Sequence, residues 1–281
     1  MTMKLAPDEE FVERMKQAER AWHDSDYTAH AEFAYPDTIE NFHDLFVKFQ
    51  IARFCDGGWS WWGDARREAI SAAGDLRGLR VLDYGCGYGG LGLYLSSKGA
   101  QVWGFDFSRP AIETANKAAQ RYGLNAEFTQ MDAVALTYPD EFFDLVMGFG
   151  VLHHVIKYPQ ADVHLLRVLK PGGRAIFHET LWDNPLINFA RRFTAEHADA
   201  GDARLTEREV RRFCQGFRHV QLEKRHLLYM LKRLAKPPRL EGNAKLKPRP
   251  LWRAVSALDE HLLRFRPLRR YCGEVIVYLQ K

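Results

Sequence analysis

The run Val81-Leu82-Asp83-Tyr84-Gly85-Cys86-Gly87-Tyr88-Gly89-Gly90 constrains the fold of this chain more than any other stretch. A short apolar segment ends in an acid, a glycine-rich turn follows, and helical periodicity resumes at Leu91, Leu93, Tyr94 and Leu95. Glycines at a strand-to-helix turn permit positive φ and let a ligand approach bare backbone. The helix N-terminus that follows offers unpaired N–H groups and a partial positive charge. Gly85, Gly87 and Gly90 satisfy G-x-G-x-x-G, a dinucleotide fingerprint that is weak evidence when it stands alone.

The alternation continues downstream. Gln101–Asp106 is again short, apolar and ended by an acid. Ser108 is placed to cap the next helix, with Pro110 in its first turn and a stop at Gly123. Strands are expected at 126–130, 143–148 and 174–179, with a helix at about 158–169. Thr206-Glu207-Arg208-Glu209 is a capping box. Later strands are expected at 220–228 and 273–280. This spacing is that of an α/β, Rossmann-like domain, with a mostly parallel sheet and helices on both faces. Residues 1–75 read instead as a helical N-terminal cap, with Asp8 as its first cap. Phe11, Met15, Ala18 and Trp22 share one face, Ile39, Phe42, Leu45, Phe46 and Phe49 make a second stripe, and Trp59, Trp61 and Trp62 cluster behind it. Residues 76–281 then form the ligand-binding domain.

Asp106 lies nineteen residues after Gly87, where an acid can accept hydrogen bonds from both ribose hydroxyls. Such a charge-assisted bond contributes about 1.5–3 kcal/mol. An adenosine ligand is indicated, either NAD or S-adenosylmethionine.

Six segments decide between them. Asp-x-Gly-x-Gly-x-Gly at 83–89, Gly-Phe-Asp-Phe-Ser at 104–108, Gln-Met-Asp-Ala at 130–133, Phe-Asp-Leu-Val at 143–146, Val-Leu-His-His at 151–154 and Leu-Lys-Pro-Gly-Gly at 169–173 stand in order over roughly residues 78–180. Together they resemble class I S-adenosylmethionine-dependent methyltransferases, most of all the small-molecule branch that includes the ubiquinone and menaquinone methyltransferases. The resemblance implies a seven-stranded sheet whose last strand is antiparallel. It implies S-adenosylmethionine as cofactor and S-adenosylhomocysteine as product. Gly85, Cys86 and Gly87 then belong to the methionine end of the cofactor site, and Asp83 holds the loop and the ligand's ammonium. Asp106 takes the ribose, Asp132 and Ala133 meet the adenine amino edge, Phe107 or Met131 packs on the adenine face, and Phe149 with Gly150 faces the sulfonium.

Methyl transfer asks the protein chiefly to hold an acceptor in line, and such positioning can supply up to about 7–11 kcal/mol. A base is needed only if the acceptor must lose a proton. His153 and His154 are the candidates. Adjacent residues on a regular element cannot both point into one pocket, so at most one of them serves, with His153 favoured, and a packing pair that orders the loop is the plainer alternative. Glu179, Tyr27, Tyr35 and His30 are further side chains within conceivable reach.

Charge and composition bound the partners. The formal +4 of this chain hides two opposite regions. Residues 232–270 hold twelve Lys+Arg against three Asp+Glu, and the remainder carries 28 against 33. The basic insertion at 230–270 has apolar members at Leu251, Val255, Leu258, Leu262, Leu263 and Phe265. A basic amphipathic helix reads as a membrane-surface or anionic-ligand element, and a solvated helix packed on the domain is the plainer alternative. Gly148-Phe149-Gly150-Val151 replaces the Asn/Asp-Pro-Pro-aromatic motif of base-modifying enzymes, so no nucleic acid is expected as acceptor. The expected acceptor is a small, hydrophobic, lipid-, prenyl- or quinone-like molecule. A nucleic-acid methyltransferase and an NAD-dependent oxidoreductase are the alternatives. Cys55, Cys86, Cys214 and Cys272 form no paired motif, so no metal site or disulfide framework is expected. No signal peptide or membrane span is visible, and a cytoplasmic protein is the plain expectation.

Overall fold

Seven strands join into one sheet. They are β1 (Arg80–Tyr84), β2 (Gln101–Asp106), β3 (Ala126–Gln130), β4 (Phe143–Phe149), β5 (Leu169–Thr180), β6 (His219–Arg225) and β7 (Glu274–Gln280). The structure is a computed structural model that describes residues 9–29, 35, 38–40, 63–190, 205–228 and 250–281. The sheet order is β3-β2-β1-β4-β5-β7-β6. β1 to β5 run parallel, and β7 inserts antiparallel between β5 and β6.

Among the described residues the helices are α1 (Glu9–Ala29), α2 (Gly63–Ala73), α3 (Gly90–Ser97), α4 (Arg109–Tyr122), α5 (Leu152–Val155), α6 (Ala161–Val168), α7 (Pro185–Ala190), α8 (Glu207–Phe213) and α9 (Pro250–Leu262). α4 shows why the sequence pattern works. Ala111, Ile112, Ala115, Ala118 and Ala119 form its buried stripe, and Gly123 ends it at φ +61. Thr206 and Glu209 cap α8 reciprocally.

Both sheet faces are covered, so β1 is buried from Val81 to Tyr84 rather than alternating. One core centres on Tyr84, which meets Phe105 and Phe177 edge-on at 4.8 and 5.6 Å. The other packs Ala65, Ala69 and Ala73 of α2 and the small face of α4 against Val81, Leu145 and Ile276. The chain leaves β1 for β2 on one side and later reaches β4 on the other. That reversal opens a crevice above the carboxyl ends of β1 and β4, where ligands bind in such sheets.

Several expectations shift. The helix expected at about 158–169 is α6 at 161–168, preceded by the four-residue α5. β5 starts at Leu169, because Leu169 already pairs with Phe143, and the glycine pair sits in an irregular stretch of the strand. There Gly172 takes φ +76 and its N–H donates to Lys281 O, while the Lys281 N–H donates to Gly173 O. Ser108 precedes α4 but gives no side-chain cap; its hydroxyl donates instead to Asp24 Oδ1 of α1 at 2.5 Å. Among the described side chains of α9 the buried one is Asp259, whereas Leu258 of the expected apolar side is 47% exposed. Asp8, His30, Phe42 to Phe49, Cys55, the three-tryptophan cluster and residues 229–249 lie outside the described residues, as do the side chains of Phe11, Trp22, Tyr27 and Leu251.

Candidate functional site

The glycine turn is held from three sides. Asp83, one residue before the end of β1, is buried, and its Oδ2 accepts the Gly92 N–H at 2.8 Å. This bond ties the strand to the first turn of α3. Burial, reinforced by nearby Asp106, outweighs the Gly92 bond and raises the Asp83 carboxyl to about 7. Gly85 has φ +66, and a Cβ there would lie 2.3 Å from Val151 Cγ2. The turn therefore rests on the segment after β4, and no side chain fits between them. Cys86 is buried and its N–H donates to Phe105 O. Its thiol is raised well above the ordinary range by burial, so it serves packing rather than chemistry.

Asp106 bridges two loops. Oδ2 accepts the Gly87 N–H and Oδ1 accepts the Ser108 N–H, both at 2.9 Å. Each carboxylate oxygen carries a second lone pair, so the residue can shape the crevice and still accept hydroxyls. The resemblance assigned it a ligand; the structure adds a scaffold role for the same atoms.

The neighbouring subsite is covered by α1. Lys16 Nζ lies 2.6 Å from Asp132 Oδ2, while Asp132 Oδ1 accepts the Val134 N–H. The Arg20 guanidinium stacks on the Phe107 ring, 3.9 Å from its centroid. Met131 is half-buried, and its sulfur accepts from the Thr137 hydroxyl at 3.5 Å. Ala133 is buried beside them. Tyr35 donates to Tyr88 O at 2.5 Å and so braces the glycine turn.

The lip of β4 gathers the remaining candidates. Glu179, at the end of β5, is 1% exposed. Its Oε1 accepts the Val151 and Leu152 N–H groups at 2.7 and 2.6 Å, and Oε2 pairs with His153 Nδ1 at 2.8 Å. Burial works to raise this carboxyl, but His153 and the three hydrogen bonds win and hold it below the ordinary range. Glu179 is thus the group that orients a histidine, not a base itself. With Nδ1 donating to a carboxylate, Nε2 becomes the basic atom of His153. The His154 ring lies 4.1 Å from that of His153, tilted by 40°.

Arg66 was not foreseen. It is 3% exposed on α2. Its guanidinium stands over the Phe149 ring at 5.2 Å, and Nη2 is 3.9 Å from where a Gly150 Cβ would stand. The sequence carried a signal for it: Ala69 and Ala73 follow at three and seven residues, on the buried stripe of α2. Phe149 also meets His178 edge-on at 6.2 Å. Below, Glu274 Oε2 receives His178 Nε2 at 3.1 Å and His226 Nδ1 at 2.9 Å, all three buried. Among the described residues no cluster of ligating side chains suits a metal ion.

Comparison with known proteins agrees with this geometry. Residues 81–173 match the family model described as a methyltransferase domain. The chain is 39% identical over 117 residues to a demethylmenaquinone methyltransferase of Thermus thermophilus, spanning 41% of this chain and 53% of that protein. It is 31% identical over 142 residues to a ubiquinone biosynthesis O-methyltransferase of Coxiella burnetii, spanning 46% and 61% respectively. The chain therefore covers only about half to three-fifths of these relatives. The crystal structure of magnesium protoporphyrin IX methyltransferase from Synechocystis superposes with a TM-score of 0.54 at 17% identity, over 95% of this chain and 99% of that one. At that identity the likeness speaks to the fold. No helix among the described residues is long and apolar enough to cross a membrane.

Proposed function

We propose that residues 81–173, which match the methyltransferase-domain family model, belong to an S-adenosylmethionine-dependent enzyme that methylates a hydroxyl of a small, hydrophobic, quinone-like acceptor. The observation that carries this reading is the His153–Glu179 pair, which opens on the same sheet edge as the Gly85 turn and Asp106.

The residues present fit the cofactor. A turn whose Gly85 has no room for a side chain presents backbone, and Asp106 keeps acceptor capacity for a ribose. Asp83, Gly85, Cys86 and Gly87 would surround the methionine end, and Arg66 would supply positive charge beside Phe149 and Gly150 for a carboxylate. Phe107, Met131, Asp132 and Ala133 would receive the adenine once Lys16 and Arg20 give way. When bound, S-adenosylmethionine supplies a methyl group already activated by its sulfonium. Phe149 and Val151 keep water from the lip of β4. His153 takes the proton of the acceptor hydroxyl at Nε2, and Glu179 holds the ring and stabilises the imidazolium that forms. His154 packs on that ring and fixes its tilt.

The quinone-type relatives and the partly apolar lip favour a hydrophobic acceptor, and the base favours oxygen over an already nucleophilic amine. We read residues 1–75 as a cap on the adenosine end, through the contacts α1 makes with Phe107, Ser108 and Asp132. The test is incubation with methyl-labelled S-adenosylmethionine and fractionated lipid and small-molecule extracts, followed by mass analysis. Label in an apolar hydroxylated molecule is expected. Binding of NADH without S-adenosylhomocysteine overturns the reading.

A further inference from the structure

The described end of the basic stretch has a surface that methyl transfer does not use. Leu258 on α9 and Phe265 just after it are 47% and 62% exposed. Phe265 stands between Arg264 and Arg266, and Arg269 and Arg270 follow on a short 3-10 turn, all four exposed. Glu260 is the exposed acid nearby, since Asp259 is turned inward and accepts the Leu227 and Leu228 N–H groups at 3.0 and 2.7 Å. Burying the acid on the inner side leaves the outer side basic and apolar together.

Its place in the fold matters. Asp259 pins α9 to the segment that leaves β6, and Gly273 N–H donates to His226 O as the chain enters β7. Glu274 pairs with both Thr180 and Arg225, the last residues of β5 and β6. Those ends share the sheet edge with Phe149, His153 and Glu179. The exposed surface therefore borders the edge on which the acceptor would enter.

We infer that Leu258, Phe265 and their flanking arginines form a docking surface for an anionic phospholipid bilayer. An aromatic and an aliphatic side chain insert at the headgroup level, and arginines meet lipid phosphates. A polyanion such as nucleic acid matches the arginines and leaves Leu258 without a role. The inference deepens the proposed acceptor class, on which its biological purpose rests, because docking would bring the entrance to a lipid-borne acceptor.

The test is flotation of the full chain with two kinds of vesicle, phosphatidylcholine alone and phosphatidylcholine with phosphatidylglycerol. Flotation is expected with the second kind only, fading in high salt. Each basic residue near an anionic surface contributes about fivefold to partitioning. R264Q/R266Q should lower it at least ~tenfold, and F265D should abolish it. S-adenosylhomocysteine binding, measured on the same samples, should be unchanged in the variants. Equal flotation with both vesicles, none at low salt, or flotation unaltered by F265D overturns the surface. So does tight DNA or RNA binding without vesicle association. A parent chain that floats yet binds no S-adenosylhomocysteine defeats the methyltransferase reading and leaves this one standing.

Discussion

Lys16 on the N-terminal helix and Asp132 after β3 form an ion pair of 2.6 Å, with 12% and 24% of their side chains exposed. The carboxylate that the resemblance gives to an adenine amino group is thus already engaged by the chain's own ammonium. In the proposed function the helix and the ligand compete for one acceptor. Lys16→Met should therefore tighten S-adenosylhomocysteine binding about fivefold, the scale of a pair worth up to about 1 kcal/mol. Calorimetric titration reads this directly, and weaker binding would mean that Lys16 holds the ligand rather than excludes it.

Asp106 serves two N–H donors and, in the proposed function, two hydroxyls. Asp106→Ala should cost at least about tenfold in S-adenosylhomocysteine affinity, and also lower stability by about 1–3 kcal/mol, because the Gly87 and Ser108 N–H groups lose their acceptor. Asp106→Asn keeps the volume and one acceptor oxygen, so its stability should recover more than its affinity. Denaturant melts beside titrations separate the two losses.

Removing the base should act on turnover. His153→Gln is expected to lower kcat about a hundredfold or more, with cofactor affinity little changed. Glu179→Gln should lower kcat as well and also destabilise the chain, since it weakens the acceptor of the Val151 and Leu152 N–H groups. A His153→Gln enzyme with parental kcat would remove the base from the mechanism.

Gly85 offers a steric test. Gly85→Ala sets a Cβ 2.3 Å from Val151 Cγ2 at a φ of +66 and should abolish cofactor binding while lowering the melting temperature. Val151→Ala in the same chain removes that methyl and should restore part of both. Absence of any rescue would place the damage in the backbone conformation alone.

The buried Glu274–His226 pair predicts a pH profile. Burial opposes the charge on Glu274, but His226 and the hydrogen bonds from His178 and His226 prevail and hold the carboxyl down to about 2, against an ordinary 4.5. Its stabilisation is complete above 4.5 and is lost as pH falls through about 2. For His226 burial lowers the value, yet Glu274 prevails and raises it above the ordinary 6.5. Its stabilisation is complete below 6.5 and is lost as pH rises through the raised value. The contribution of this pair should therefore peak in mild acid and decline on the alkaline side, while His178, which burial lowers, opposes it by costing stability as pH falls below 6.5. Glu274→Gln should flatten that profile and cost about 3–5 kcal/mol by stranding a buried histidine, as urea melts across pH would record.

Local pattern carried the central domain. Strand ends, the glycine turn, the Gly123 stop and the Thr206 capping box depend on neighbours in sequence, so β1 to β4 and α4 stand close to where periodicity put them. Side-chain partnerships across long distances were not legible. Nothing near Glu179 announces His153, and nothing near residue 132 announces Lys16, because both pairings follow from how separate elements stack. The inward turn of Asp259 on α9 was not legible for a related reason: two backbone N–H groups after β6 need an acceptor, a demand invisible from the helix alone.

The antiparallel strand β7 lies between β5 and β6 in the sheet although it follows both in the chain. During synthesis β6 is finished before the strand it must pair with exists, and the whole basic stretch emerges in between. Until then β5 has an open edge, and Glu274 has yet to meet His178 and His226. The half of the sheet that carries the glycine turn can assemble early, while the half built from β5, β7 and β6 must wait. A ribosome-bound intermediate of this chain should therefore hold β1 to β5 with an unpaired strand edge that exposes it to association with its own kind.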